Sequence, residues 1–595
     1  DPASGLRVTA TLTRFRHVPA VDWGLRLENA GSADTAIIAD VRALDVTLAC
    51  PLAGAAPYRL HRTLGAPSTP RDFEPTTVDV TAATPQRLGA AGGWSSNGDF
   101  PFFTVETGGG TWVVAVGWSG QWAAEIGCPD GRTLHLTAGQ EVMHLRLRPG
   151  EHVRTPRILL YHGSADVDEA HAGFRQLIYA EYVARRGGKR PLPLLFSNTC
   201  FTRGGGWLNE CDAANQISLI EAFAPLGLEA VITDAGWFEG GWPDGAGNWT
   251  PRREAYPDGM GPVAAAAARH GMVYGLWFEP ERAMAGSALQ RAHPEWLLND
   301  PAGNPAAFVV DFGRPEVRAH FFELVRGFMG LPGFRVYRQD STMAPLPYWR
   351  ATDAPDRQGF CEAKYIEGLY AYWDQIAATW PDGVREECAS GGRRIDLETL
   401  MRMHIHQRSD YWFDDETEQV SLWSLSRYLP GNVITTALNR VDDYSFAAAL
   451  PSSLCIGWIA DAPDFDGAAA RRLTETYRRV RHLLVGAWYP LLPYSRDGAA
   501  WQATQFHRPD LDAGLVVALR RPASPQATAV LRCRGIDAAA EYEVRGWHDA
   551  APRVMAGAEL RDGLTITIEA PRGAELVTYQ RVGGATRGED SPRRR

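Results

Sequence analysis

Carboxylates that close apolar runs are the residues of this 595-residue sequence with the clearest chemical potential. Asp340 closes the alternating run VYRQD, and Arg338, two residues earlier on the same face of a strand, would keep that carboxylate ionised. Asp410 closes a later run, QRSD. One ionised carboxylate and one that holds a proton form the pair that retaining glycoside hydrolysis requires. For either Asp alone, a turn or a helix N-cap is the competing interpretation.

Other chemistries find less support in the sequence. No Ser or Cys stands in a nucleophile-elbow context, no GxGxxG or GxxxxGK[ST] motif follows a strand, and no CxxC pair occurs. His404 and His406 have metal-like spacing on a strand, but no third ligand stands at motif distance. We therefore expect no cofactor and no metal, and an active site built from carboxylates.

The ends of other apolar runs supply further candidates, because barrel active sites gather where parallel strands end. These candidates are Asp234 with Trp237, Trp277 with Glu279 and Glu281, and Cys388 with Ser390. Trp207 and Trp242 lie in Gly-rich segments and could form a sugar-stacking wall, although loop packing explains them equally well. Together these residues predict a site lined with acidic and aromatic side chains.

The middle of the chain must position these residues, and its pattern predicts a (β/α)8 TIM barrel. From Leu194 onward, short apolar strands alternate with amphipathic helices. The eight candidate strands are Leu194–Asn198, Ala230–Asp234, Val273–Glu279, Arg335–Asp340, Glu386–Ser390, Gln407–Asp410, Val433–Ala437 and Leu454–Ile459. The helices between them include Ala213–Phe223, Gly261–His270, Pro315–Met329 and Tyr365–Thr379. Eight strands over about 290 residues fit a barrel better than a doubly wound sheet.

The regions on either side of the barrel alternate like strands, so the expected fold class is multidomain. Residues 1–185 predict an N-terminal β-sandwich with a connecting helix at Asp166–Ala184, 186–488 the catalytic barrel, and 489–582 a small antiparallel β-sandwich. Residues 583–595 predict a flexible tail. The candidate strands of the flanks are Leu6–Thr13, Trp23–Leu27, Thr111–Val116, Thr133–Thr137, Val142–Arg148, Gly514–Arg520, Ala527–Arg532, Tyr542–Arg545 and Leu564–Glu569.

Composition sets several classes of protein aside. The formal net charge is −10, from 60 Lys+Arg and 70 Asp+Glu, so we expect no nucleic-acid partner held by bulk charge. No apolar stretch approaches the ~18 residues of a membrane span, so no membrane partner is expected. The 20 Trp residues favour a protein that stacks sugars. The chain begins at Asp1 without Met, and we expect a secreted or periplasmic protein if a signal peptide was removed, and a cytoplasmic one otherwise.

A series of motifs in the barrel region resembles a known family. DAGWF, GLWFEPER, RAHPEWLL, YRQD, CASGGRRIDLETL and RSDYW occur in this order across about Leu194 to Asp415. Their order and spacing resemble the α-galactosidases of glycoside hydrolase family 36, in clan D. The resemblance implies a retaining exo-acting hydrolase with a large N-terminal sandwich, a barrel and a small C-terminal sandwich. It also implies an oligosaccharide or glycoside substrate and, as family members often assemble, a homo-oligomer.

The resemblance further implies roles for individual residues. The nucleophile falls on Asp340, the acid/base on Asp410 and a sugar-gripping carboxylate on Asp234. The other residues that we expect to bind the substrate are Trp237, Trp277, Glu279, Arg338, Cys388, Ser390, Gly391 and Arg408.

Two departures from the family pattern make the identity of the sugar an open question. Members usually carry Lys-x-Asp where this chain has RQD at 338–340, and Asp-Asp-Gly-Trp where it has DAGW at 234–237. Ala235 cannot accept a hydrogen bond from a sugar hydroxyl through its side chain. The alternatives to an α-D-galactose-like sugar are therefore β-L-arabinopyranosides and α-N-acetylgalactosaminides. A transglycosylase and a non-catalytic carbohydrate-binding barrel are further alternatives. The residues that could instead supply the missing contact are Glu281, Arg282 and Arg203.

Overall fold

The computed structural model describes residues 4–48, 58–205 and 208–583. Trp207 and all but the first residue of the predicted tail lie outside this part of the chain.

Two antiparallel sheets form most of the N-terminal region, as the alternating pattern predicted. The larger sheet contains, in spatial order, Leu6–Arg14, Ala20–Asn29, Arg157–Gly163, Gly110–Gly117, Phe102–Thr107, Tyr58–Thr63 and Pro75–Val80, with His152–Arg154 also paired to Ala20–Asn29. The smaller sheet contains Leu44–Leu48, Leu134–Gln140, Trp122–Gly127 and Gln86–Gly89. Leu60 and Val114 from the larger sheet and Leu136 from the smaller one are buried in one hydrophobic cluster, so the two sheets pack as a sandwich.

One predicted strand of this region is much shorter than expected. The run Val142–Arg148 forms a strand only at His144–Leu145. Its partners, Ile38–Ala39 and Arg357–Gln358, are also two residues long, so the ladder cannot extend. This small sheet joins the sandwich to the barrel region. The connecting helix is α-helical over Val167–Leu177 and π-helical over Ile178–Tyr182, and the Asp166 side chain caps its first N–H groups.

A closed parallel barrel of eight strands occupies the middle of the chain, and each strand overlaps a predicted one, although the predicted Gln407–Asp410 shares only Gln407 with the observed Ile405–Gln407. Its strands are β1 (Leu195–Asn198), β2 (Ala230–Thr233), β3 (Val273–Phe278), β4 (Phe334–Gln339), β5 (Val384–Glu387), β6 (Ile405–Gln407), β7 (Ile434–Leu438) and β8 (Ser453–Ile456), and β8 pairs with β1. The main helices are Ala213–Phe223, Gly261–Arg269, Pro315–Met329, Leu346–Thr352, Phe360–Thr379, Leu397–Arg402, Asp415–Leu425, Asp443–Ala449 and Gly467–Val480. Between β3 and β4, Arg282–Met284, Leu297–Leu298 and Ala307–Val310 form a small antiparallel sheet beside the short helix Ala288–Ala292.

The barrel elements follow from burial on both sides of the sheet. Strand β3 reads VYGLWF, and its residues after Val273 are all buried, as expected where helices cover one face and the barrel interior the other. The helix Pro315–Met329 starts with Pro in its first turn and buries Val317, Phe321 and Val325 at helical spacing. The carboxyl ends of the strands are therefore held in a fixed ring, where polar side chains can meet.

The C-terminal region is a small antiparallel β-structure, as predicted. Its main sheet contains, in spatial order, Ala487–Pro490, Gln502–Arg508, Ala513–Arg520, Gly573–Arg581, Glu541–Gly546 and Arg553–Ala556. Thr528–Leu531 and Leu564–Thr567 form a second, two-stranded sheet beside the helix Gly557–Gly563. Leu531 and Leu564 from the second sheet share a buried cluster with Val516 and Tyr542 from the first. The domain boundaries at 186 and 489 stay predictions.

Candidate active site

The carboxylate of Asp340, directly after β4, is fixed by three N–H donors. Its Oδ1 accepts hydrogen bonds from the backbone N–H groups of Ser341 at 2.7 Å and Ser390 at 3.0 Å. Its Oδ2 accepts one from the indole N–H of Trp277 at 3.1 Å. A carboxylate that accepts several N–H bonds is stabilised in its ionised form. Residues after β4 and β5 and within β3 thus prepare Asp340 to act as an anion.

The turn after β5 carries Ser390 and Gly391 in the left-handed backbone region, with φ values of 47° and 86°. This conformation directs the Ser390 N–H at Asp340. A Cβ at position 391 would lie 2.5 Å from the backbone nitrogen of Asp410, so only glycine fits there. The N–H of Gly391 also donates to the Cys388 sulfur at 3.4 Å. The turn therefore brings the end of β6 close to the end of β4.

Asp410, beyond the end of β6, has different surroundings. Burial raises the pKa of Asp410 to about 7, and the negative charges of Asp340 and Asp234 act in the same direction. Arg338 and Arg393 oppose the increase. No donor among the described residues forms a hydrogen bond with the Asp410 carboxylate. Asp410 can therefore hold a proton near neutral pH and release it to a neighbouring atom.

Arg338 of β4 lies between two buried carboxylates. Its Nε is 3.1 Å from Oδ2 of Asp234, and its Nη1 donates to Oε1 of Glu386 in β5. The Asp234 Oδ2 atom also accepts a hydrogen bond from the Asn198 side chain at 2.6 Å. Burial raises the pKa of Asp234, and the charge of Arg338 opposes this. Residues from β1, β2, β4 and β5 thus form one charged network in the barrel mouth.

Glu279 and two tryptophans line the site beside Asp340. Glu279 accepts hydrogen bonds from the backbone N–H of Thr342 at 2.8 Å and from the indole N–H of Trp242 at 3.4 Å. Burial raises the pKa of Glu279 to about 7. Trp237 donates its indole N–H to the Trp277 carbonyl at 2.8 Å and is only 1% exposed. The Trp237 ring therefore supports Trp277 from within an aromatic cluster.

Arg408 and Glu281, which the sequence placed at the site, make their contacts away from Asp340 and Asp410. The Arg408 guanidinium donates to the Ser421 hydroxyl at 2.7 Å and lies 3.9 Å from Glu418, both in the helix Asp415–Leu425. Glu281 accepts hydrogen bonds from Arg394 at 2.6 and 2.8 Å and from the Tyr365 hydroxyl at 2.7 Å. Neither side chain has a contact to Asp340 or Asp410 among these bonds.

Arg203 and Arg282, which could replace the contact missing at Ala235, interact with other side chains. His404 and His406 also have hydrogen-bond partners. Arg203 lies 3.3 Å from Asp461, and Arg282 donates to the Thr342 hydroxyl at 2.8 Å. The backbone N–H of Arg385 donates to Nδ1 of His404, and burial lowers the pKa of His404 to about 3. His406 bonds through Nδ1 to the Val433 carbonyl. Across the described ranges, no three His, Cys, Asp or Glu residues form a group that could hold a metal ion.

Two loops of the N-terminal sandwich reach the ends of the barrel strands, which sequence reasoning missed. The Ser409 hydroxyl donates to Oδ2 of Asp72, and the Ser68 hydroxyl donates to the Ser390 carbonyl at 3.0 Å. The indole N–H of Trp94 donates to the Ser341 hydroxyl at 3.2 Å. Ser409 and Ser341 are direct neighbours of the candidate catalytic residues in the sequence, and Ser390 donates a hydrogen bond to Asp340. No local motif marks these loops, because their partners are hundreds of residues away.

In the described part of the chain, no helix is long and apolar enough to cross a membrane.

A closed barrel with carboxyl groups at the ends of its strands is an architecture found in glycosidases, and the comparisons with known proteins place this chain in that class. A sequence model of the family described as Melibiase matches residues 153–436. The chain is an α-galactosidase-like protein similar to glycoside hydrolase family 36, as its motifs predicted.

Several known proteins are similar to this chain along most of its length. α-Galactosidase AgaA of Geobacillus stearothermophilus is 26% identical, over 92% of this chain and 76% of AgaA. α-Galactosidase Mel36A of Lactobacillus acidophilus is 22% identical, over 74% of this chain and 62% of Mel36A. The crystal structure of AgaA superimposes with a TM-score of 0.86 at 21% identity, covering 98% of this chain and 82% of AgaA. The AgaA structure therefore matches the multidomain fold of this chain.

Proposed function

We propose that this chain is a retaining, exo-acting glycoside hydrolase that releases a terminal α-D-galactose-like sugar. The observation that carries the proposal is the contrast between its two carboxyl groups. Asp340 accepts three N–H hydrogen bonds that favour the anion, whereas burial raises the pKa of Asp410 to about 7. Such a pair, in which the surroundings separate the protonation states, supplies a nucleophile and a general acid.

In the first step, Asp340 attacks the anomeric carbon while Asp410 gives its proton to the oxygen of the leaving group. The bond to that oxygen breaks, and a β-linked glycosyl ester forms on Asp340. Asp410, now ionised, then removes a proton from water, and the resulting oxygen attacks the same carbon. The ester bond breaks, Asp340 is regenerated, and the released sugar has the α configuration of the substrate.

We assign sugar binding to the groups around these two carboxyl groups. Asp234, Arg338 and Glu279 supply charged partners for hydroxyl groups, and the turn after β5 supplies Cys388, Ser390 and Gly391. Trp277 is only 1% exposed and contributes by fixing Asp340 through its indole N–H. Trp237 and Arg408 fit supporting roles, because the Trp237 indole N–H donates to the Trp277 carbonyl and the Arg408 guanidinium donates to the Ser421 hydroxyl.

The substrate class also has support from relatives. Crystal structures of AgaA variants contain raffinose and stachyose, which are bound by those proteins. In this chain, however, the position after Asp234 is Ala235, which is 4% exposed and brings a methyl group instead of a second carboxylate. This observation favours a second candidate, hydrolysis of β-L-arabinopyranosides, which lack the C6 hydroxymethyl group.

The test is NMR-monitored sugar release from four matched aryl glycosides: the α-D-galactoside, β-L-arabinopyranoside, α-N-acetylgalactosaminide and α-D-glucoside. We expect the galactoside to be cleaved fastest, with α-galactose appearing before mutarotation. Faster cleavage of the arabinopyranoside would establish the second candidate instead. First appearance of β-galactose from the α-galactoside would contradict the retaining mechanism, and no release from any of the four would contradict the proposed function.

A further inference from the structure

We propose that Glu386 is a positioning residue that acts through Arg338 on sugar binding; this inference rests on the proposed function of the same site. Glu386 lies in β5 directly beside Arg338 of β4 in the strand register. Both side chains are almost fully buried, with 1% and 3% of their surfaces exposed. Parallel strands in register present such a pair on the same side of the sheet, here the interior of the barrel.

Glu386 has one hydrogen-bond partner among the described residues, Arg338. Its Oε1 accepts a hydrogen bond from Nη1 of Arg338. Its Oε2 is buried and bonds to no group among the described residues. A buried carboxylate is costly unless it is paired, so Arg338 is the group that keeps Glu386 in place, and the reverse holds as well. Glu386 forms no hydrogen bond with Asp340 or Asp410 in the described contacts, and its hydrogen-bonded link to the site is Arg338.

The position of the guanidinium follows from this pairing. Nη1 is hydrogen-bonded to Glu386, whereas Nε lies 3.1 Å from Asp234 without forming a hydrogen bond, so Glu386 is the group that fixes the plane of the guanidinium. Nη2 donates to no described residue, and it remains as the donor for a sugar hydroxyl. Without Glu386, the guanidinium is free to turn toward Asp234 or Asp340, and this donor is lost.

A double-mutant cycle on Arg338 and Glu386 tests the inference. The variants are Glu386→Gln, Arg338→Ala and their combination, with galactose affinity measured by calorimetry and kcat and KM measured on an aryl α-galactoside. We expect Glu386→Gln to weaken galactose binding and raise KM by about tenfold, with kcat reduced by about threefold at most. In the Arg338→Ala background, the same change should weaken binding by less than about twofold, because the group it acts through is already absent.

Glu387→Gln is the matched control. Glu387 is the next residue of β5 and is equally buried, but it pairs with Arg394 and not with Arg338. We expect it to leave galactose affinity unchanged within about twofold. Thermal unfolding of each variant checks the fold. If Glu386→Gln does not fold, Glu386→Asp takes its place in the cycle, because it keeps the charge and shortens the reach to Arg338.

Additive losses in the cycle, or equal losses in Glu386→Gln and Glu387→Gln, would overturn the positioning role and leave the proposed function intact. If the wild-type protein prefers another glycoside of the set, the double-mutant cycle is measured with that sugar, and the same results would support or overturn the positioning role. A wild-type protein that cleaves none of the four glycosides contradicts the proposed function, and the role of Glu386 with it.

Discussion

Asp340 and Asp410 follow β4 and β6 of the same barrel, and their carboxyl groups have opposite surroundings. The Asp340 carboxylate accepts hydrogen bonds from Ser341, Ser390 and Trp277. The Asp410 carboxylate has no such donor among the described residues, and its pKa is raised to about 7 by burial and by the charge of Asp340. The barrel thus prepares two like residues for different tasks through the groups that each one faces.

The pKa of Asp410 depends on the charge of Asp340. An ionised Asp340 raises the pKa of Asp410 by charge repulsion, so the proton that Asp410 holds is partly a consequence of the N–H groups at Asp340. Substitutions at Asp340 or at its N–H donors should therefore change the pKa of Asp410.

Removal of the Asp340 carboxylate is the change with the largest expected effect. Asp340→Ala should lower kcat on an aryl α-galactoside by about 10⁴-fold or more, because no group remains to form the glycosyl ester. Added azide should restore turnover and give a β-configured glycosyl azide, which NMR identifies. Turnover within tenfold of the wild type, measured on the same substrate, would show that Asp340 is not the nucleophile.

Removal of the Asp410 carboxyl group should have an effect that depends on the leaving group. Asp410→Ala should slow cleavage of an alkyl galactoside by about 10²–10⁴-fold, because its leaving oxygen needs a proton. A dinitrophenyl galactoside, whose leaving group needs no proton, should lose much less in the same variant. The two substrates serve as each other's control, and equal losses would argue against an acid/base role.

The pH dependence of the wild type should reflect the raised pKa of Asp410. Catalysis requires the protonated acid, and a rise in pH through about 7 removes that proton. We therefore expect kcat/KM to fall about tenfold for each pH unit above that value. The pKa of Glu279 is also raised to about 7, so Glu279→Gln is the control. The alkaline fall should persist in Glu279→Gln, and its loss there would assign the titration to Glu279 instead.

The sequence predicted the barrel more completely than it predicted the contacts inside it. Runs such as VYGLWF are buried on both sides and are recognisable without a structure. The helix Phe360–Thr379 was predicted to begin only at Tyr365, because its N-cap is Gly359, which offers no capping side chain to recognise.

The site residues that were placed differently show how local the sequence signals are. Arg408 was predicted within a strand that ends at Asp410, but β6 ends at Gln407, and the Arg408 side chain bonds to Ser421. The alternation of side-chain directions holds only within a strand, so it does not predict the direction of Arg408 once the strand has ended. The pairing of Asp72 with Ser409 joins residues 337 positions apart, and no periodic pattern encodes such a contact.

This contact between domains should have a moderate effect on Asp410. Asp72 is buried, and its Oδ2 accepts the hydrogen bond of the Ser409 hydroxyl, which itself accepts from the Tyr411 N–H at 2.9 Å. We expect Asp72→Ala to lower kcat about tenfold, because Ser409 and Tyr411 flank the acid. The same variant should also move the alkaline limb of the pH profile.

The matched control for Asp72 lies in the same loop. Glu74 pairs with the exposed Arg71, and Glu74→Ala should keep kcat within about twofold of the wild type. If Asp72→Ala behaves like Glu74→Ala, then the sandwich loop contributes nothing to the acid/base, and the difference between the two strand ends arises within the barrel alone.

The smallest expected effect concerns the sugar rather than the chemistry. Ala235→Asp places a second carboxylate beside Asp234, where it can accept a hydrogen bond from the C6 or axial hydroxyl of galactose. We expect the ratio of kcat/KM for the α-galactoside over the β-L-arabinopyranoside to rise about five- to tenfold, the size of one directed hydrogen bond. Ala235→Asn, which keeps the shape without the charge, should produce a smaller rise. An unchanged ratio in both variants would mean that position 235 does not contact the group in which the two sugars differ, and that the contacts of Arg338 and Asp234 determine the choice of sugar.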